Sequence, residues 1–419
     1  MPIAPTPAEQ SSSTRPVSEL LQTVSLYLHI PFCHAKCHYC DFNSYAGMLG
    51  LRENYVAALL DEIALAGERA RHTSGERRRC RTIFFGGGTP SLLTAAQIEA
   101  IIGAARQAFA LDSDAEITLE ANPGTLEYGQ LDETRAAGIN RLSMGAQSFD
   151  ADLLRWMGRI HSPAEIETAF AAARAAGFER INLDFIYALP GQSVQTWEDT
   201  LTRATDLGPD HLSLYSLIVE EGTPLHRWVS QGKVRPVDDD LAADMYELAE
   251  TTLEAAGYRQ YEVSNWARPG QACEHNLTYW RNLPYIGLGA GAHGWFGGHR
   301  YSEARSIGQY IRMVRDDVRR VESGASGTSL LPAGAVVEDD VIGREGEMAE
   351  TAILGLRLVE GLDLRAFSER FGQDFHALYD ERLAPVRPFG LLEEDDRHIR
   401  LSRRGRLLGN EVFARFLPD

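Results

Sequence analysis

Between residues 25 and 217 the chain alternates, six times over, between a short apolar run rich in β-formers and a stretch whose apolar residues recur at helical spacing. The first run, Ser25-Leu-Tyr-Leu-His-Ile30, is stopped by Pro31. Strands are expected at 25–30, 82–85, 116–120, 140–144, 180–187 and 210–217. Helices are expected at 53–71, 95–109, 128–137, 163–177, 194–206 and 239–256. Strands separated by helices lie parallel, with right-handed crossovers. The pattern predicts an α/β fold, a partial (β/α)6 TIM-like barrel. Gly86 to Thr89, Glu120-Ala-Asn-Pro123, Gln147, Asp184 and Tyr215 all fall at carboxyl ends of strands. In a parallel barrel that rim holds ligands, so one shared site is expected there.

The rest of the chain divides around this barrel. Residues 1–24, rich in Pro, Ser and Thr, read as a flexible tail, and 25–235 as the barrel. Residues 236–320 form an aromatic and glycine-rich extension that completes the core, and 321–344 read as a linker. The last part, 345–419, reads as a small α-rich, winged-helix-like C-terminal domain with a short hairpin and a final helix from Arg403.

Charge narrows the partners. Asp and Glu number 59 against 41 Lys and Arg, a formal net charge of -18. Such a chain repels a phosphate backbone, and no basic patch large enough to reverse this is present, so nucleic acid is excluded as the main partner. The C-terminal domain is also acidic, which favours packing or partner docking over DNA binding. With no apolar run of 18 residues and no apolar segment in the first 24, neither a membrane span nor a signal peptide is expected, and the predicted compartment is the cytoplasm.

Of five cysteines, three crowd into the loop after the first strand, as Cys33-x3-Cys37-x2-Cys40. That spacing belongs to metal ligation and not to a disulfide framework. Three thiolates can hold a 4Fe-4S cluster with one iron open to another ligand. The same spacing could serve a Cys3His zinc knuckle completed by His29, His34 or His38. His275, beside Tyr279 and Trp280, offers an axial imidazole and aromatic surface to a heme, or is a hydrogen-bonded core histidine. Cys273 could meet iron or simply be a small buried side chain. Gly287-Leu-Gly-Ala-Gly-Ala292 fits the loose dinucleotide fingerprint, but it follows the βα run and lacks the acidic partner about 20 positions on, so close backbone packing is expected.

The cysteine loop, with Tyr39 before its last cysteine, resembles the signature of the radical S-adenosylmethionine (SAM) superfamily. Phe85-Gly-Gly-Gly-Thr-Pro-Ser91 resembles that superfamily's second-strand element facing the SAM amino group. Further phrases resemble the oxygen-independent coproporphyrinogen III oxidase group. They are Tyr27-Leu-His-Ile-Pro-Phe-Cys33, Glu120-Ala-Asn-Pro-Gly124, Ser143-Met-Gly-Ala-Gln-Ser-Phe149, Gly158-Arg-Ile-His161 and Asp184-Phe-Ile-Tyr-Ala-Leu-Pro-Gly-Gln192. The resemblance implies a 4Fe-4S cluster on Cys33, Cys37 and Cys40, and SAM bound by Tyr27, Gly87, Gly88, Thr89, Glu120, Gln147, Arg159 and Asp184. Cys40 is followed by Asp41-Phe42, where the oxidases carry a fourth cysteine. Together with Tyr261-Glu-Val-Ser-Asn-Trp266 and His275-Asn-Leu-Thr-Tyr-Trp280, this resembles the sister branch of HemW heme chaperones. That branch implies heme bound near His275 and handed to an acceptor protein. The alternative implied by the larger group is oxidative decarboxylation of coproporphyrinogen III. A zinc-binding interaction protein is the third reading.

Overall fold

The computed structural model describes residues 17–72, 75–126, 128–324, 331 and 333–417. The tail assigned to 1–24 therefore lies outside the described residues up to position 16. Val17–Leu20 is one helical turn, and the first strand already begins at Thr23.

Six parallel strands form the body in chain order: β1 (Thr23–Ile30), β2 (Arg79–Gly87), β3 (Ala110–Ala121), β4 (Arg141–Gln147), β5 (Arg180–Tyr187) and β6 (His211–Ser216). Consecutive strands pair edge to edge, the order a (β/α) barrel requires. The connecting helices are α1 (Arg52–His72), α2 (Ala95–Ala108), α3 (Leu131–Ala136), α4 (Ala151–Met157), α5 (Pro163–Ala175), α6 (Val194–Leu207), α7 (Pro224–Ser230) and α8 (Asp239–Ala255). Their starts are chemically marked. Thr94 with Gln97 and Ser162 with Glu165 form capping boxes, and Ser193 and Asp238 accept from the first-turn amides of their helices. Trp197 of α6 is fully buried and donates its indole N–H to the Met245 carbonyl at 2.9 Å, locking α6 onto α8.

The extension adds a second half to the sheet. β7 (Arg259–Glu262) and β8 (Asn265–Ala267) lie antiparallel beyond β6. Helix α9 (Glu274–Trp280) then leads to β9 (Tyr285–Leu288), a seventh parallel strand on the free edge of β1. It continues antiparallel through β10 (His293–Phe296) and β11 (His299–Glu303). After α10 (Ile307–Glu322) the segment read as a linker departs from that expectation. Residues 325–330 and 332 lie outside the described ones, but Val336–Val341 is β12, paired along β11 as the sheet's edge. Its Val-Val-Glu-Asp-Asp-Val sequence is exposed on both faces from Val337 on, so it lacks the apolar signal of a buried strand.

The C-terminal part packs α11 (Arg344–Gly355), α12 (Leu364–Phe371) and α13 (Phe375–Leu383) over a three-stranded sheet of Leu362–Asp363, His398–Leu401 and Leu392–Glu394. The final helix expected from Arg403 is two short ones, Arg403–Leu407 and Gly409–Phe413. This part has its own core around Phe367, Phe371, Phe375, Leu383 and Ile399, distinct from the barrel core. The joint between them is largely polar: Glu250 takes both Arg403 (2.8 Å) and Arg406 (2.7 Å), and Arg300 pairs with Glu350 (2.6 Å).

Candidate functional site at the barrel rim

Pro31 stops β1, and Phe32–Cys33 then runs parallel to Tyr45–Ala46, closing the cysteine-bearing segment into a loop at the strand's carboxyl end. The loop is fixed from three sides. His38 N–H donates to Met157 (3.0 Å) and its Nδ1 lies 2.8 Å from the Trp156 carbonyl, tying it to α4. Asn43 Nδ2 donates to the carbonyls of Ala290 (2.7 Å) and Arg305 (2.9 Å), tying it to the extension. Thr89 Oγ1 donates to Cys33 Sγ (3.6 Å), and Arg159 Nη1 to Cys37 Sγ (3.4 Å). Donors aimed at sulfur are what an iron–sulfur cluster uses to stabilise charge on its ligands. Burial pushes the Cys40 thiol up to about 11, so a metal must displace its proton for it to act as a thiolate.

The histidines offered for zinc are placed differently. His29 is buried, with Nδ1 3.1 Å from the Tyr27 hydroxyl and Nε2 2.9 Å from the Asn43 carbonyl. His38 is held by Trp156, and His34 faces solvent. Among the described residues no three His, Cys, Asp or Glu side chains converge on a single-ion site.

Behind the loop, a cavity of about 200 Å3 opens inside the barrel, lined among others by Tyr27, Glu120, Asp184 and His275. Polar residues reach it because each strand alternates: Glu120 on β3, Arg141 and Ser143 on β4, Asn182 and Asp184 on β5, Ser213 and Tyr215 on β6. The register sets Glu120 beside Ser143, Ser143 beside Asn182, and Asp184 beside Ser213. Glu120 accepts from the Gly87 amide at 3.1 Å; Asp184 accepts from Asn182 at 2.7 Å and Ser143 at 3.3 Å. Burial first, and the nearby Asp184 second, push Glu120 up to about 8. Two buried carboxyls facing one cavity call for a cationic or hydroxyl-bearing ligand. The ammonium and ribose of SAM present both groups, so this pair of acceptors fits that molecule.

The structure thus brings Tyr27, Glu120 and Asp184 together on the cavity and puts Gly87 behind Glu120. Thr89 and Arg159 face the cysteines, and Arg159 also donates to the Gly145 carbonyl (2.7 Å) while its Nε is buried without a partner. Gln147 sits beside it with φ +67 at the end of β4, an uncommon conformation for a residue with a side chain. Gly88 does not face the cavity: a Cβ there would meet the Phe32 carbonyl at 2.6 Å, so this glycine lets β2 pack on the loop.

His275, offered as a heme ligand or a core histidine, is packed deep in the barrel. It is 1% exposed, Nδ1 is 2.7 Å from Thr82 Oγ1, Nε2 is 2.8 Å from the Tyr279 hydroxyl, and the ring stacks on Phe84. Burial lowers its pKa to about 3. Both ring nitrogens lie within hydrogen-bond distance of side chains, the geometry of a hydrogen-bonded core histidine, and the residue also lines the smaller cavity. Sequence reasoning missed Arg141, Ser143, Asn182 and Ser213. Their signal was the polar residue at every second position of otherwise apolar strands.

The Radical SAM superfamily profile matches residues 27–204, and the HemN C-terminal domain profile matches 343–408. "Heme chaperone HemW" of Bacillus subtilis is 36% identical over 94% of this chain and 99% of its own length. The protein of the same name from Mycobacterium tuberculosis is 37% identical over 94% and 95%. The chain belongs to the HemW heme chaperone family. Membership in the radical SAM superfamily carries with it a 4Fe-4S cluster and SAM, in keeping with the loop and cavity above. The solved coproporphyrinogen III oxidase HemN of Escherichia coli is similar in fold, with a TM-score of 0.76 over 96% of this chain and 92% of its own, at 26% identity. HemW relatives are therefore closer in sequence than that oxidase over comparable lengths. No helix of the described residues is long and apolar enough to cross a membrane.

Proposed function

We propose that the protein binds heme and hands it to an acceptor protein, using a 4Fe-4S cluster held by Cys33, Cys37 and Cys40 with SAM at the open iron. The observation that carries this reading is the full-length match to HemW chaperones. It is supported by a cluster loop that runs from Cys40 straight into Asp41-Phe42, without a fourth cysteine. When bound, the cluster and SAM together can supply one-electron chemistry.

The chain's own residues have defined tasks. Glu120 and Asp184 accept hydrogen bonds from the SAM ammonium and ribose, and Tyr27 walls their cavity. The unpartnered Nε of Arg159 is a spare donor for the methionine carboxylate. Thr89 and Arg159 hold two of the sulfurs in place. Gly87 lets β2 pack against the His29 ring of β1, and Gly88 lets it pack against the start of the loop at Phe32.

The test is an anaerobic hemin titration of cluster-loaded protein, followed at the Soret band. Saturable one-to-one binding is expected. Absence of saturable binding, together with SAM consumption when coproporphyrinogen III is supplied, would replace the chaperone by the decarboxylase. The fold shared with HemN makes that the second reading.

A further inference from the structure

The cavity inside the barrel holds one charged group that has no task so far. Arg141 on β4 points inward with Ser143, lines the cavity and is 2% exposed. A guanidinium carries five N–H donors, yet Arg141 makes no hydrogen bond or salt bridge among the described residues. The acceptors around it are already engaged. Glu116 takes Arg180 at 2.7 Å and the amides of Glu274 (3.1 Å) and His275 (3.0 Å). The Asn182 carbonyl oxygen takes the Ser213 hydroxyl at 3.1 Å and lies 2.7 Å from His211 Nδ1. The Asn182 amide and the Ser143 hydroxyl both donate to Asp184. The strands thus satisfy one another and leave the guanidinium facing the cavity. A buried charge without a hydrogen-bond partner is unfavourable, so its acceptor is expected to come from a ligand.

The neighbours decide what that acceptor can be. Burial raises the pKa of Asp184 and of Glu120, and the charge of Arg141 counters it at both, so the guanidinium is within electrostatic reach of the two carboxyls. Between Arg141 and Asp184 an ammonium would be repelled by the guanidinium, and a carboxylate by Asp184. A hydroxyl avoids both conflicts, because it accepts on one side and donates on the other. Two adjacent hydroxyls do so twice, and a cavity of about 200 Å3 has room for one sugar ring.

We infer that Arg141 is a ligand-binding residue that donates to the vicinal hydroxyls of the SAM ribose while Asp184 accepts from them, so that the site selects a ribonucleoside over its deoxy counterparts. This inference rests on the SAM reading above and is independent of heme. Glu120, held at the other side by the Gly87 amide, is then the carboxyl left for the ammonium.

The experiment uses full-length, cluster-loaded protein under anaerobic conditions. Calorimetry gives Kd for SAM, and displacement of SAM gives Kd for adenosine, 2′-deoxyadenosine and 3′-deoxyadenosine. Wild type is compared with Arg141→Met, which keeps an apolar stem but has no donor, and with Arg141→Lys, which keeps the charge. In wild type, loss of either hydroxyl should weaken binding roughly tenfold or more. Arg141→Met should weaken adenosine by a similar factor and bind the three nucleosides alike, and Arg141→Lys should recover part of the preference. An arginine with a purely structural role would instead weaken all three equally and keep their ratios, which would overturn the inference. So would a wild type that binds the three nucleosides alike, or that binds SAM but not adenosine. These last outcomes need no variant, so the test stands even if Arg141→Met fails to fold. If wild type binds no SAM, the SAM reading fails first.

Discussion

Replacing Glu120 by Gln should move stability and ligand binding in opposite directions. In the SAM-free protein Glu120 is a partly buried carboxyl facing the cavity, whose pKa stands at about 8 against an ordinary 4.5, raised by burial and by Asp184. A group whose folded pKa is raised stabilises fully below its unfolded pKa and loses that contribution as pH climbs to the folded value. At about 1.4 kcal/mol per unit, the loss is on the order of 2 kcal/mol at pH 6 and 5 kcal/mol by pH 9. Gln cannot ionise, and its amide oxygen can still accept from the Gly87 N–H. Glu120→Gln should therefore flatten the fall in stability between pH 6 and 9 and leave the SAM-free variant more stable than wild type at pH 9. The same substitution removes a charge-assisted hydrogen bond worth about 1.5–3 kcal/mol, so SAM affinity should drop by roughly tenfold to a hundredfold. Denaturant unfolding of SAM-free, cluster-loaded protein at the two pH values gives the first number, and calorimetric SAM titration the second. A variant equally destabilised at pH 6 and 9 would show that Glu120 is ionised and already paired, and the reasoning would be wrong.

Three further outcomes are expected. Cys40→Ser should leave the fold intact but abolish stable cluster loading, read as iron and acid-labile sulfide per chain after anaerobic reconstitution; full iron content would remove Cys40 from the ligand set. Gly291→Ala has φ +80 to contend with and a Cβ 2.4 Å from Asn43 Nδ2, so it should cost about 1–3 kcal/mol, seen as a lowered melting temperature. Glu250→Ala strips both Arg403 and Arg406 of their partner; because Arg403 is largely exposed, a loss of about 2 kcal/mol is expected. It should show as faster protease release of the C-terminal part, and an unchanged cleavage rate would refute the importance of this joint.

The barrel was legible because its signals are long and redundant. Strands alternating with capped helices leave few topologies open, and β5 falls at the 180–187 expected for it. Strand β3 runs farther back than expected, from Ala110; its Asp112-Ser-Asp114 segment is polar and partly or fully exposed, so it carries no apolar strand signal. The extension was only partly readable. Strands β7 to β12 are three to six residues long, and β12 reads as an acidic loop until β11 is there to pair with it. At the site, the cysteines and rim residues could be read from motifs. The place of His275 could not, since the same imidazole is a ligand or a core residue depending on whether Thr82, 193 positions away, takes its other nitrogen.

The glycine run that resembles a nucleotide fingerprint is a spacer, and its three members answer to different neighbours. A Cβ on Gly287 would lie 1.8 Å from the His293 carbonyl oxygen, one on Gly289 would lie 2.6 Å from the His29 carbonyl oxygen and from the Tyr55 hydroxyl, and one on Gly291 would strike the Asn43 side chain. Every replacement for glycine adds that carbon, so no single mutation at these sites is small enough to be harmless. Repair from elsewhere is possible only where the obstacle is itself a side chain. A smaller residue at position 43 should relieve the clash in Gly291→Ala but not the strain of its φ of +80, whereas no substitution can shrink the main-chain oxygens facing positions 287 and 289. The same three letters thus have unequal evolutionary freedom, set by whether each looks out on backbone or on a side chain.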